Sequence, residues 1–227
     1  MRIVRVLALL TLVAVIPTKA GADPIAVGDV VKFSDLAGNT GGGEFRLTDV
    51  SNAAEWIITF CLQKTEYMNF TSNFIVGSIN TYTLTDPDDR GGVNGQDPIS
   101  SQTAWLYTQF TNQTLSNYDY ANSGTSVFAS REASANALQH AFWGFENEEA
   151  LDANNYFVQL ALNNTPSNFG IGNVAVLNMY LHDATKPGGL GPEAQDQLTI
   201  RSVPEPTTLA LMGVGLLGLT ARRRSKK

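Results

Sequence analysis

One cysteine, two histidines and a glutamine embedded among aromatics are the residues of this chain whose types could do chemistry. Cys61 is the single cysteine, and His140 and His182 are the only histidines. One thiol excludes an intramolecular disulfide framework and any multi-cysteine zinc or iron–sulfur site. Two histidines are too few for a histidine-built metal centre, so no cofactor is expected. Cys61 lies in Ile57-Ile58-Thr59-Phe60-Cys61-Leu62-Gln63, an apolar run that reads as a mostly buried strand. A buried free thiol can be an inert small hydrophobe. It can also be a nucleophile. Gln139 is the second residue of interest. It stands at the edge of the apolar stripe of Ala135-Asn136-Ala137-Leu138-Gln139-His140-Ala141-Phe142-Trp143-Gly144-Phe145-Glu146, with Ala135, Phe142 and Trp143 at i−4, i+3 and i+4. An amide wedged among aromatics needs hydrogen-bond partners. With Phe142 and Trp143 as candidate shields, it also sits in the sort of dry site where an acyl derivative could survive. No turnover and no catalytic residue are expected.

Other chemistries are weaker. Cys61 with His182 or His140 and Asp183 supplies the residue types of a cysteine hydrolase, but no local signature joins them. On a helix His140 points about 100° away from Gln139. Trp56, Trp105, Tyr118 and Tyr120 could stack on sugars if exposed, as a non-covalent polysaccharide-binding module would require. Asp86, Asp88, Asp89 and Asp97 populate a polar loop from Thr85 to Pro98. Hard cations such as calcium prefer carboxylate oxygens, but the EF-hand spacing and its closing Glu are missing. A solvated acidic turn is the expectation there, with no metal site.

The elements that must position Cys61 and Gln139 alternate with Gly, Asn and Asp turns. Residues 25–33, 43–50, 54–62, 74–84, 174–181 and 197–203 read as strands, from their short β-branched and aromatic runs. Residues 101–111 and 132–149 read as helices, the second with Leu138, Ala141, Phe142 and Phe145 on one face. Residues 150–164 lean towards helix. The expected fold is α+β: a β-rich, sandwich- or barrel-like domain with a helical insertion.

Gln139-His140-Ala141-Phe142-Trp143 resembles the Gln-x-Ala-Ile-Trp motif of bacterial thioester domains, with Phe142 in place of Ile. Those domains occur in surface adhesins of Gram-positive bacteria. There a cysteine on an earlier strand condenses with the motif glutamine, and the thioester acylates an amine on a target surface. Asp97-Pro98 followed by Thr103-Ala104-Trp105-Leu106-Tyr107, the helix from Glu132 to Glu149, and Asn173-Val174-Ala175-Val176-Leu177-Asn178 also resemble segments of that family. The resemblance implies a Cys61–Gln139 thioester, an amine-bearing surface as partner, and a role in adhesion.

The two ends read as addresses. Arg2 and Arg5 precede an apolar run from Val6 to Ile16, broken by Pro17, and Ala20-Gly21-Ala22 places small residues at −3 and −1 before Asp23. This is the layout of a secretory signal peptide cleaved after Ala22. The run is too short for a transmembrane helix, which takes roughly 20 residues. At the other end Pro204-Glu205-Pro206 precedes an uncharged apolar segment, Thr207 to Ala221, and then Arg222-Arg223-Arg224-Ser225-Lys226-Lys227. That segment would span about 22 Å as a helix, with the basic cluster held in the cytoplasm. The tail resembles the PEP-CTERM sorting signal of Gram-negative bacteria, also labelled an ice-binding protein C-terminal domain. The resemblance implies processing by an exosortase near Pro204-Glu205-Pro206, membrane contact through the helix, and links to extracellular polysaccharide and biofilm. The expected division is residues 1–22 signal peptide, 23–202 body and 203–227 sorting tail. Residues 23–203 hold seven basic against twenty acidic residues. Such a surface repels nucleic acid, which is excluded as a partner.

Overall fold

The computed structural model describes residues 23–39, 42–66, 68–84 and 94–202. The signal-peptide segment with Ala20 and Ala22, the sorting tail with its Pro-Glu-Pro and arginine cluster, and Asp86, Asp88 and Asp89 lie outside these residues.

Eight strands and three helices make up the described body. They are β1 (Val30–Asp35), β2 (Phe45–Asp49), β3 (Trp56–Thr59), β4 (Phe74–Asn80), β5 (Tyr82–Leu84), β6 (Gln96–Pro98), α1 (Ser101–Thr111), α2 (Arg131–Phe145), α3 (Tyr156–Asn164), β7 (Val174–His182) and β8 (Leu190–Ile200). The α+β class holds at this level. The main sheet is antiparallel, in the order β3-β2-β1-β4-β7-β8, and β5 pairs with β6 in a separate hairpin. The chain beyond β3 then bends onto the opposite edge. Leu198 N–H donates to Phe60 O at 3.1 Å, Leu62 N–H to Asp196 O at 3.0 Å, and Cys61 bridges Gln197. The segment after β3 thereby pairs with β8, the other edge strand of the sheet.

Side-chain alternation sorts the interior into two clusters. Val31, Phe33, Phe45, Leu47, Phe74, Val76, Leu177 and Met179 fill one, enclosed by the strands. Phe60, Leu62, Leu106, Tyr107, Phe110, Leu138, Phe142 and Phe157 fill the other, beneath the helices, where Val174 and Val176 join them from β7. Both faces of β7 are therefore buried, and its sequence is apolar almost throughout.

Several expected boundaries move. The run 74–84 breaks at Thr81 into β4 and β5, which lie in different sheets. The end of the polar loop pairs as β6, with Asp97 opposite Thr83. Helix α2 stops at Phe145 rather than Glu149. Asn147 takes a left-handed φ of 63°, and Glu148 N–H closes on Trp143 O at 2.9 Å, a C-terminal capping turn. The helix expected from residue 150 starts at Tyr156. Asp152 first makes a turn, and Asn155 caps α3 by accepting from Phe157 N–H at 2.9 Å. Strand β8 begins at Leu190 and ends at Ile200, not 197–203.

Candidate functional site

Cys61 and Gln139 meet at the seam between the two clusters. Phe60 and Leu62 point into the helical cluster, so alternation turns Cys61 towards the sheet cluster, beside Trp143. On α2, Leu138 and Phe142 face the helical cluster while Trp143 faces the sheet cluster. Gln139 falls between, fully buried, as is Cys61. The Cys61 thiol donates to Gln139 Oε1 at 3.2 Å. Gln139 Nε2 donates to the Cys61 carbonyl at 2.7 Å. The backbone N–H of Gly43 donates to the same Oε1 at 3.2 Å. A carbonyl can only accept and a backbone N–H can only donate. The orientation of the carboxamide is therefore fixed by its partners, with oxygen towards Gly43 and nitrogen towards Cys61 O.

The lid over this pair is the β1–β2 connection. A Cβ on Gly42 would lie 2.6 Å from Gln139 Cγ and 2.7 Å from Trp143 Cη2, so only glycine lets the backbone lie so close. Gly43 has φ +125°, and a Cβ there would sit 2.4 Å from Ala37 O. Reciprocal amide contacts anchor the loop to the helix. Asn39 N–H donates to Asn136 Oδ1 at 2.9 Å, Asn136 Nδ2 to Asn39 Oδ1 at 2.7 Å, and Asn39 Nδ2 to Glu132 Oε1 at 2.6 Å. Glu132, Asn136, Gln139 and Trp143 form one stripe of α2 at helical spacing, and that stripe receives the loop.

The segment carrying Cys61, which follows the end of β3 at Thr59, is held from several sides. Tyr107 OH donates to Ile58 O at 2.9 Å and to Leu198 O at 3.1 Å. Asp196 N–H donates to Gln63 Oε1 at 2.8 Å. The turn after α2 grips the next residue: Lys64 N–H donates to Glu148 Oε2 at 2.9 Å, and Lys64 Nζ pairs with Glu149 at 2.6 Å. Lys64 Nζ also lies 5.3 Å from the Trp143 ring centroid. Outside the lid is a cleft of about 430 Å³ whose lining includes Asp35, Gly42, Phe45, Lys64 and Phe70.

Burial pushes the Cys61 thiol well above its ordinary range. The adjacent Trp143 side chain pulls it down and the Glu148 charge pushes it further up. Trp143 Nε1 is buried without a partner of hydrogen-bonding geometry among the described residues. The site thus holds a thiol, raised by burial, against a carboxamide in a fully buried seam.

The remaining candidates are placed as follows. Phe142 and Trp143 are both buried, Phe142 against Phe60 at a centroid distance of 5.3 Å. His140 turns away from Gln139 and pairs with Glu149 at 2.7 Å. His182 ends β7 beside Gly189. Neither histidine is a hydrogen-bond partner of the sulfur. Among the sugar-stacking candidates Trp56 is exposed at 42%, Trp105 and Tyr120 are half-buried, and Tyr118 is buried at 4%. Tyr118 is therefore no stacking surface: its hydroxyl donates into the buried Glu44 carboxylate. Asp97 is half-buried in β6, and the described residues contain no cluster of three metal-ligating side chains.

Two features were missed in the sequence. The glycine run between β1 and β2 was visible as Gly38, Gly41, Gly42 and Gly43, but it reads as an ordinary turn. The buried Glu44 carboxylate pairs with the half-buried Arg131 at 2.7 Å, and no spacing rule links residues so far apart.

Residues 202–224 match the PEP-CTERM protein-sorting motif. The chain is an exported, exosortase-targeted protein directed to the cell surface. The PEP-CTERM match covers the tail and does not reach the Cys61–Gln139 seam. No curated protein and no solved structure matches the chain.

Proposed function

We propose that the body of this PEP-CTERM protein is a single-use covalent adhesin. Cys61 and Gln139 condense to an internal thioester, and an amine on a target surface opens it. The amine nitrogen bonds to the Gln139 acyl carbon, the carbon–sulfur bond breaks, and the amine proton goes to the Cys61 sulfur. One observation carries this reading: the only thiol of the chain lies 3.2 Å from the side-chain oxygen of a fully buried glutamine. The tail would hold the chain in the inner membrane of a Gram-negative bacterium until exosortase cleavage releases it to the surface or an extracellular polysaccharide matrix. Intact mass of the mature protein tests the reading. The expected result is a deficit of one ammonia, absent in Cys61→Ala. A full-mass protein whose native thiol alkylates freely rejects it.

A second reading rests on Trp56. Its exposed indole forms part of the wall of two clefts, of about 610 and 430 Å³, which also share Ile58 and Arg131. The Arg46 guanidinium lies 4.1 Å above the ring. Stacking rings and guanidinium donors suit a non-covalent contact with sugars. On this reading Cys61→Ala is retained on exopolysaccharide as well as wild type, and Trp56→Ala is not.

A further inference from the structure

The thioester reading leaves unexplained how a neutral, buried thiol attacks a carboxamide, which is a poor electrophile. Two developing charges must be met: one on the carbonyl oxygen as the tetrahedral intermediate forms, one on the sulfur as its proton departs. Donors fixed in advance at such places are what lower barriers in dry sites.

We propose that the site carries its own pair of donors, the backbone N–H of Gly43 for the Gln139 oxygen and the indole N–H of Trp143 for the Cys61 sulfur. The inference rests on the thioester reading and adds to it the groups that drive the bond's formation. The Gly43 bond to Oε1 is 3.2 Å long in the amide state, long enough to tighten as the oxygen gains charge. An interaction that strengthens on the way to the transition state is one that accelerates. The loop geometry is specific to this end. Gly38 at φ +146° and Gly43 at φ +125° let the two arms of the β1–β2 connection cross, and Glu44 N–H closes on Ala37 O at 2.7 Å. That closure turns the Gly43 N–H inward. Trp143 supplies the second observation. Its side chain is 2% exposed and its Nε1 has no partner in good geometry among the described residues. A buried N–H left unsatisfied calls for an explanation, and its indole packs in the same cluster as Cys61, where a donor favours charge on the sulfur.

The step balances without a co-reactant. The sulfur–carbon bond forms, the carbon–nitrogen bond of Gln139 breaks, and the thiol proton leaves on ammonia. Reversal by concentrated ammonia regenerates thiol and carboxamide, so closure can be timed after ammonia is removed.

The experiment follows closure by intact mass in the wild-type body, Trp143→Phe and Gly43→Ala, across pH, with a thermal melt to establish folding. Phenylalanine keeps an aromatic shield and removes the donor. Closure in Trp143→Phe is expected to slow by about 10- to 100-fold, with its pH profile displaced to higher pH and hydrolysis of the closed form little changed. Gly43→Ala, whose Cβ would collide with Ala37 O, is expected to slow closure without the pH displacement. If Trp143→Phe closes at the wild-type rate with the same pH profile, the indole has no such role. If it is merely leaky, hydrolysis speeds up while closure does not slow, which also overturns the inference. A wild-type body that never loses ammonia rejects the thioester itself and the inference with it.

Discussion

Gln139 is an expensive residue to bury, and its surroundings show why it is tolerated. All of its polar capacity but one hydrogen is spoken for by Gly43 N–H, the Cys61 thiol and the Cys61 carbonyl. Truncating it strands two of those groups in a dry seam. Gln139→Ala is therefore expected to lower unfolding free energy by about 2–6 kcal/mol, at roughly 1–3 kcal/mol for each orphaned buried group. Urea unfolding measures this, and the variant should also show full mass. Glu44 is a comparable case. Its buried carboxylate takes two hydrogen bonds from Arg131, at 2.8 and 2.7 Å, and another from Tyr118. Arg131→Ala leaves that charge without its cation and should destabilise the fold by about 3–5 kcal/mol. The proximity of Cys61 and Gln139 was legible in the sequence because their residue types are rare or misplaced: one thiol in the whole chain, one amide among aromatics. The glycines that cover them were not, since a glycine run specifies permission rather than contact.

At the scale of elements, β8 carries the clearest lesson. The expected strand begins only at Gln197, yet the polar side chains of Gln195, Asp196 and Gln197 are all buried. Asp196 is satisfied by partners on other strands, and nothing local announces those partners. Asp196 accepts from Leu84 N–H at 2.9 Å, Met179 N–H at 2.8 Å and Asn178 Nδ2 at 2.7 Å. It ties the β5–β6 hairpin and β7 to the strand that holds Cys61 in place. Burial raises its carboxyl to about 7 despite hydrogen bonds from Asn178, Leu84 and Met179, and Glu193 adds repulsion. In the unfolded chain an aspartate ionises near 4. Between about 4 and about 7 the folded chain holds a proton that the unfolded chain has lost, so stability falls as pH rises through that window and levels off above it. Glu146, also raised by burial, adds a slope of the same sign. The test is consequently a difference: chemical denaturation from pH 4 to 8 should show a shallower decline in Asp196→Asn than in wild type. Equal slopes would remove Asp196 from this account. Helix α1 was legible to both its ends and α2 from its periodicity, whereas the C-terminal end of α2 is set by the left-handed Asn147, which apolar spacing does not record.

At the scale of the whole molecule, a Cys61–Gln139 bond would act as a staple as well as a warhead. It would join positions 78 residues apart, linking the strand that closes the barrel-like sheet to the helix that covers it. By chain entropy a cross-link of that span removes roughly 4 kcal/mol of unfolded-state freedom. Opening the bond with a small amine should therefore lower the melting temperature of the intact body by roughly 8–16 °C, since about 1 kcal/mol shifts a domain of this size by roughly 2–4 °C. Calorimetry before and after methylamine measures it, with Cys61→Ala as the control that does not respond. Delivery and use are then coupled. A protein exported through the membrane and cut at Pro204-Glu205-Pro206 would reach the surface stapled, and would loosen only when its acyl group has passed to a target. Glu205→Ala, by keeping the tail on, is expected to leave the full-length form in the membrane fraction with its ammonia deficit intact. A tail variant that is released as wild type, or that loses the deficit while the body stays folded, would break the link between sorting and chemistry.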